Sequence, residues 1–279
     1  MDFYRGKRVY ITGGSSGIGL AAAKSIASWG GSVYISARGE ERLKSALEEI
    51  KSAAVGADQT FGYVAHDVSD PAACEAAAKE VVGALGGVDV LIANAGVAHP
   101  SRILETPPEV FEKMMRINYF GTVHTTRAFL PHMYDQKGGN IGIVSSMLGF
   151  MGIYGYTAYA ASKFAQVGFA DCLRQELIDY GIKLTILYPP DTDTPQLAEE
   201  NRIKPPETKA ISGEVKMMSA EDVGLCLLKG IAKGKYHVVP GTMGRFTRFM
   251  NRHAPWVVRW VIDGELKKYR KKNPETRPA

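Results

Sequence analysis

Tyr159 and Lys163 stand four residues apart in Tyr159-Ala160-Ala161-Ser162-Lys163, with Ser146 upstream. On a helix that spacing puts both side chains on one face, one turn apart. A phenol alone is too weak an acid to exchange protons near neutral pH, and a nearby ammonium favours the phenolate. At roughly 5–6 Å and an effective dielectric of about 20 the attraction is about 3 kcal/mol, which predicts a phenol lowered by about two units. A tyrosine in that state can give or take a proton at physiological pH. Tyr-x-x-x-Lys is a weak pattern alone, and two ordinary residues on a half-exposed helix would satisfy it. The elements around it decide.

Arg8-Val9-Tyr10-Ile11 reads as a short buried strand, followed by Thr12-Gly13-Gly14-Ser15-Ser16-Gly17-Ile18-Gly19 and then the apolar pattern Leu20, Ala23, Ile26, Ala27. Strand, glycine turn and helix in that order let a pyrophosphate approach the backbone amides at a helix N-terminus. The second strand, Ser32 to Ser36, ends at Ala37-Arg38. An acid near this point holds a ribose 2′-hydroxyl, whereas an arginine suits a 2′-phosphate, so Arg38 points to NADPH. His66-Asp67-Val68 is expected to end the third strand, where Asp67 can meet an adenine or simply be a surface acid. Strand and helix patterns alternate along the whole chain, which predicts one doubly wound parallel sheet flanked by helices, an α/β fold of the Rossmann type.

Together these residues resemble the short-chain dehydrogenase/reductase family, from about residue 6 to about 240. Thr12 to Gly19 resembles its cofactor loop. Asn94-Ala95-Gly96, after the strand Val88 to Ile92, resembles its Asn-Ala-Gly motif. Asn118 resembles its active-site asparagine, and Ser146, Tyr159 and Lys163 its catalytic serine, tyrosine and lysine. The resemblance implies that Lys163 binds the nicotinamide ribose and favours the phenolate, and that Tyr159 protonates a carbonyl oxygen. It further implies that Ser146 orients that oxygen and Asn118 positions a relaying water. Cofactor contacts are implied for Gly13, Ser15, Ser16, Gly17, Ile18, Gly19, Arg38, Asp67, Val68, Asn94, Tyr159 and Lys163.

Tyr188-Pro189-Pro190-Asp191-Thr192-Asp193-Thr194-Pro195 follows the sixth strand, Ile182 to Leu187. Most of the family has Pro-Gly here, so Pro190 is a departure that stiffens the backbone. With Glu199-Glu200-Asn201-Arg202-Ile203-Lys204-Pro205-Pro206-Glu207-Thr208, the run is similar to the sphingolipid branch of the family, which reduces 3-ketodihydrosphingosine. That similarity implies a long-chain keto-lipid substrate, cofactor contacts at Pro189, Thr192 and Thr194, and a lid over about residues 195–218. Reductases of a hydroxysteroid, a 3-oxoacyl chain or a small secondary alcohol remain the alternatives within the family. A non-catalytic sensor of the same fold would be expected to lack Ser146, Tyr159 or Lys163, and all three are present.

The chain has 279 residues and a net charge of +5. Residues 1–240 are expected to form the NADPH-binding catalytic domain, and 241–279 a basic amphipathic extension. That extension holds ten Lys/Arg and three Asp/Glu, a net +7 against +5 for the whole chain. Arg245 to Arg252, Trp256 to Ile262 and Lys267 to Lys272 interleave cations with aromatic and aliphatic residues. This composition suits a helix lying at a membrane interface, or one packed on the sheet or a neighbouring subunit and ending in a solvated basic tail. No nucleic-acid motif accompanies it, so nucleic acid is not an expected partner.

Three scattered cysteines, Cys74, Cys172 and Cys226, suggest a reducing compartment and three small buried hydrophobes. The six histidines show no metal-ligand spacing, so no metal site is expected; His99 is a candidate for the substrate mouth. Met1 to Lys7 carries no apolar stretch, and a cytoplasmic location is expected. The uncharged run Gly138–Ser162 is long enough to flag as a membrane span, but its Gly, Ser and Thr content reads as a strand and active-site loop. A homodimer or homotetramer is expected by family resemblance, through helices near 107–134 and 156–180.

Overall fold

Alternation of side chains along the strands sorts the core onto two faces of one sheet. In the computed structural model, which describes residues 1–212 and 217–274, the strands are β1 (Arg8–Thr12), β2 (Ser32–Ala37), β3 (Phe61–Ala65), β4 (Val90–Ala93), β5 (Gly139–Val144) and β6 (Ile182–Leu187). Val9, Ile11, Val90, Ile92, Val144 and Leu187 point to one face, against α1 (Gly17–Ser28), α2 (Glu40–Ser52) and α9 (Ala220–Ala232). Tyr10, Leu91, Ala93, Ile141, Ile143 and Ile186 point to the other, against α3 (Pro71–Leu85), α5 (Gly121–Asp135) and α6 (Thr157–Glu176). Both faces are covered, which is why these strands read as continuous apolar runs.

With β9 (His237–Val238) at one edge the order is β3-β2-β1-β4-β5-β6-β9, and every pair is parallel. After β1 the chain winds outward through β2 and β3; β4 then pairs on the other side of β1. The loops leaving β1 and β4 diverge there and open a crevice at the carboxyl ends of the strands. The doubly wound α/β expectation holds, and β9 is an additional strand.

Several expected boundaries shift. His66, Asp67 and Val68 follow β3 and do not end it. The helical stretch expected near 107–134 is α4 (Pro108–Met114), one π-helical turn at Met115–Phe120, and α5. That wide turn carries Asn118, and such turns cluster at functional sites. Cys74 is buried, but Cys226 is half-buried and Cys172 exposed, so Cys172 is no core residue. It sits on the solvent side of α6, and the cysteine's apolar character alone did not fix its face.

Beyond β6, a two-stranded parallel ribbon of β7 (Thr192–Asp193) and β8 (Met218–Ser219) brackets α7 (Pro195–Ile203) and α8 (Pro206–Ser212). The expected lid corresponds to this segment, except that residues 213–216 lie outside the described residues. The basic extension folds as α10 (Thr242–His253) and α11 (Pro255–Lys272); residues 275–279 lie outside the described residues. Arg248 of α10 lies 4.8 Å over the Tyr188 ring, Asn251 donates to the Phe150 carbonyl at 2.6 Å, and α11 packs against α8. Among the described residues no helix is long and apolar enough to cross a membrane.

Candidate active site

The loop after β1 and the start of α1 form one wall of a cavity of about 1500 Å³. Gly13 has φ +66°, and a Cβ there would lie 2.9 Å from Ala95 Cα. A Cβ on Gly19 would lie 2.5 Å from the Gly13 carbonyl oxygen. The loop can close on itself only with glycine at both positions. Ser16 precedes α1 without a side-chain cap, and the first turn holds no acid, so its leading amides remain free to meet an anion. Gly13, Ser15, Ser16, Gly17 and Ile18 line the cavity here; Gly19 acts through packing.

Asn94 holds this loop from β4. Its Nδ2 donates to the carbonyls of Thr12 and Gly13, both at 3.0 Å, while the amides of Asn94 and Ala95 donate to Thr12 Oγ1 at 3.1 Å. Arg38 lies exposed at the rim together with Arg42, one turn into α2. Sequence reading missed Arg42, although its spacing of four from Arg38 was there to see. Burial pushes the Asp67 carboxyl up, but hydrogen bonds from Ser69 and the charge of Arg38 outweigh it and leave the group below its ordinary value. Asp67 and Val68 line the same wall. A cradle of free helix amides, with two arginines and no acid at the end of β2, fits a phosphorylated dinucleotide.

At the opposite wall, α6 presents Tyr159 and Lys163, and the loop after β5 presents Ser146. Lys163 is only 3% exposed; its Nζ donates to the Val144 carbonyl at 3.1 Å and lies 5.6 Å from the centre of the Tyr159 ring. The expected lowering of the phenol is overturned. Burial pushes Tyr159 well above its ordinary value, the charge of Glu200 adds to this, and a hydrogen bond with Ser146 offsets only part of it. Burial also brings the Lys163 ammonium down to about 7. Desolvation of both members therefore outweighs their mutual attraction. The result is a phenol that keeps its proton at neutral pH, the state a proton donor requires.

Asn118 is fully buried. Its Oδ1 accepts from Val97 N at 2.8 Å, and its Nδ2 donates to Val97 O and Ser162 Oγ, each at 2.9 Å. Its side chain is thus bound to the loop following Ala95-Gly96, and its carbonyl accepts from Gln166 at 2.8 Å. A Cβ on Gly96 would lie 3.2 Å from Asn118 Oδ1 and 3.4 Å from Lys163 Nζ, so the small residue lets these groups converge.

Thr192 and Thr194 line the cavity beside Pro189. Thr192 Oγ1 donates to the Pro190 carbonyl at 2.8 Å, and Thr194 Oγ1 caps α7 by accepting from Leu197 N at 3.2 Å. The segment after them is pinned by side chains: Lys204 to Asp191 at 3.3 Å, Arg102 to Glu207 at 3.0 Å, Thr208 to the Tyr154 carbonyl at 3.0 Å, and Tyr156 to Glu200 at 2.7 Å. The motif Glu200 to Thr208 was visible in the sequence, but these partners were not. His99 does not line the cavity, whereas Met243, Thr247 and Ile262 of the helical extension do. Among the described residues no cluster could hold a metal ion.

The family model for short chain dehydrogenases matches residues 7–204. The chain belongs to the short-chain dehydrogenase family. It is accordingly an NAD(P)-dependent oxidoreductase. Similar short-chain dehydrogenases include 3-dehydrosphinganine reductase of Danio rerio, 39% identical over 232 residues that cover 83% of this chain and 70% of that one. The 3-ketodihydrosphingosine reductase of Mus musculus is 38% identical over 240 residues, 86% of this chain and 72% of that one. The crystal structure of levodione reductase shares the fold, with a TM-score of 0.77 at 23% identity over 85% of this chain and 97% of that one. This member of the short-chain dehydrogenase family is therefore related to ketone-reducing sphingolipid enzymes.

Proposed function

We propose that the chain reduces the 3-keto group of 3-ketodihydrosphingosine to the alcohol, with NADPH as the hydride source. The observation that carries this reading is the union of Ser146, Tyr159 and Lys163 with α7, α8, α10 and α11 around one large cavity. The identity of over a third to reductases of that ketone supports the substrate class. Arg38 and Arg42 support the 2′-phosphate form of the cofactor.

In this reading, Ser146 and Tyr159 hold the carbonyl oxygen through their hydroxyls. The reduced nicotinamide, when bound, supplies the hydride. Tyr159 releases its proton to the oxygen as charge develops there, and the nearby Lys163 charge stabilises the phenolate left behind. Gly13 to Gly19, Arg38, Asp67, Val68, Asn94, Pro189, Thr192 and Thr194 bind or frame the cofactor, and Asn118 fixes the loop beside Lys163. Purified protein should consume NADPH in the presence of the long-chain ketone. Consumption with other ketones but not with this one would sink the substrate assignment and leave the reductase intact.

The extension is proposed to dock on a bilayer. Phe246, Phe249, Trp256 and Trp260 are 57%, 58%, 67% and 72% exposed, amid exposed Arg245, Arg252, Arg259, Lys267 and Lys268. Met243 and Ile262 join this surface to the cavity, so a lipid ketone would enter from the membrane side. Anionic vesicles should sediment the protein, and Trp256→Ser with Trp260→Ser should release it; equal binding by the double variant would refute the docking face. A second copy is proposed against the π turn leading into α5 and against α6, where Phe120 and Phe164 are left 44% and 46% exposed.

A further inference from the structure

The acids of the segment after β6 are not alike. Asp191 pairs with Lys204 at 3.3 Å, Glu199 with Arg202 at 2.9 Å, and Glu207 with Arg102 at 3.0 Å. Glu200 is 8% exposed and lines the cavity, yet among the described residues it makes no ion pair. Its Oε2 accepts from Tyr156 Oη at 2.7 Å and its Oε1 from Gln196 Nε2 at 3.0 Å, both neutral donors. A carboxylate withdrawn from water and held only by neutral groups is costly unless a cation reaches it. Lys163 feels the charge of Glu200 from a distance but forms no ion pair with it; the one hydrogen bond of its Nζ goes to the Val144 carbonyl. The open side of Glu200 is the cavity itself.

Its location is specific. The Tyr156 ring that holds Glu200 lies 5.7 Å, centre to centre, from the Tyr159 ring. Glu200 therefore stands one side chain away from the Tyr159 ring, near enough for its charge to act on the Tyr159 hydroxyl. A group bonded to the carbon next to that carbonyl would come within its reach.

We infer that Glu200 is the recognition site for an ammonium group on the carbon adjacent to the ketone, so that the chain selects α-amino ketones over plain ketones. This rests on the proposed reduction of 3-ketodihydrosphingosine, whose amino group occupies that carbon. It adds a specificity residue to the site: the carboxylate accepts charge-assisted hydrogen bonds from the substrate amine while Tyr156 and Gln196 fix its rotamer. The charge of Glu200 raises Tyr159. An ammonium seated on it would cancel that influence, so the correct substrate would ease its own protonation.

The test compares kcat/KM for ketone pairs that differ only in the amino group. One pair is 3-ketodihydrosphingosine and its desamino counterpart; the other is aminoacetone and butanone. The wild-type enzyme should favour the amino ketone of each pair it reduces by roughly 10–100-fold, the range of a charge-assisted hydrogen bond. Glu200→Gln, which keeps the shape and can still accept from Tyr156, should bring the ratio close to one, chiefly through KM. Glu200→Asp should retain part of the preference. An unchanged ratio in Glu200→Gln, or equal loss on both members of a pair, overturns the assignment. Discrimination confined to the short pair, with no turnover of either long ketone, sinks the long-chain reading but keeps Glu200. Failure to reduce any of the four overturns both.

Discussion

The two walls of the cavity are built by different means. The dinucleotide wall is made of backbone: the Gly13–Gly19 loop, the first amides of α1, and Asn94 holding both from the adjacent strand. Its parts are neighbours in sequence or in the sheet. The substrate wall is made of side chains that tie distant segments together. Arg102 meets Glu207 across 105 residues, Tyr156 meets Glu200 across 44, and Arg248 reaches Tyr188 from the extension. The difference teaches that the proposed cofactor contacts lie at the sheet's switch point, whereas the proposed substrate contacts depend on a segment fastened by a few polar contacts. Damage to one wall should leave the other working.

The sharpest break concerns the residue at their junction. Tyr159→Phe removes only an oxygen, so NADPH affinity, measured by fluorescence titration, should hold. Turnover should fall by roughly 10²–10⁴-fold, the usual contribution of a general acid. Retained turnover would reject Tyr159 as proton donor, and lost cofactor binding would show that the walls are not independent. Next in size, replacing Arg38 and Arg42 together by Ala should raise KM for NADPH by roughly 10–100-fold with little change for NADH, because the pair would lose two phosphate contacts. An equal rise for both cofactors would reject the 2′-phosphate assignment.

Glu207 tests the other wall. Glu207→Gln weakens a fully buried carboxylate's contacts with Arg102 and Tyr154, and should destabilise α8 by about 1–3 kcal/mol. Hydrogen exchange should quicken across 195–212, and KM for the ketone should rise while KM for NADPH does not. Uniform acceleration over the whole sheet would mean that the segment is no separate unit.

The same contrast explains what could be read in advance. Glycine spacing, strand alternation and the Tyr159–Lys163 interval are local patterns, and the structure shows them where they were expected. Arg38 was legible because β2 ends one residue before it. The partners of Glu200, Lys204 and Glu207 were not, since Tyr156, Asp191 and Arg102 come from separate loops and no periodicity links them. The π turn at Asn118 was also invisible, because a single wide turn leaves an ordinary apolar helix pattern on either side. The phenol was misjudged for a physical reason: sequence spacing gives the distance between Tyr159 and Lys163 but not their desolvation, and burial decided the sign.

That misjudgement supplies the smallest and most exacting test. Burial lowers Lys163 from 10.5 to about 7, so between those values the folded chain binds fewer protons than the unfolded one. Where the unfolded state binds more protons, stability rises with pH. The burden of burying the ammonium is present in full below about pH 7 and is relieved as pH climbs towards 10.5. Denaturant unfolding of wild type and Lys163→Met should therefore diverge in slope over this window, wild type gaining up to about 1.4 kcal/mol per pH unit relative to the variant. Parallel curves would mean that Lys163 keeps its charge through neutral pH, and the attraction to Tyr159 inferred from spacing alone would be the dominant force after all.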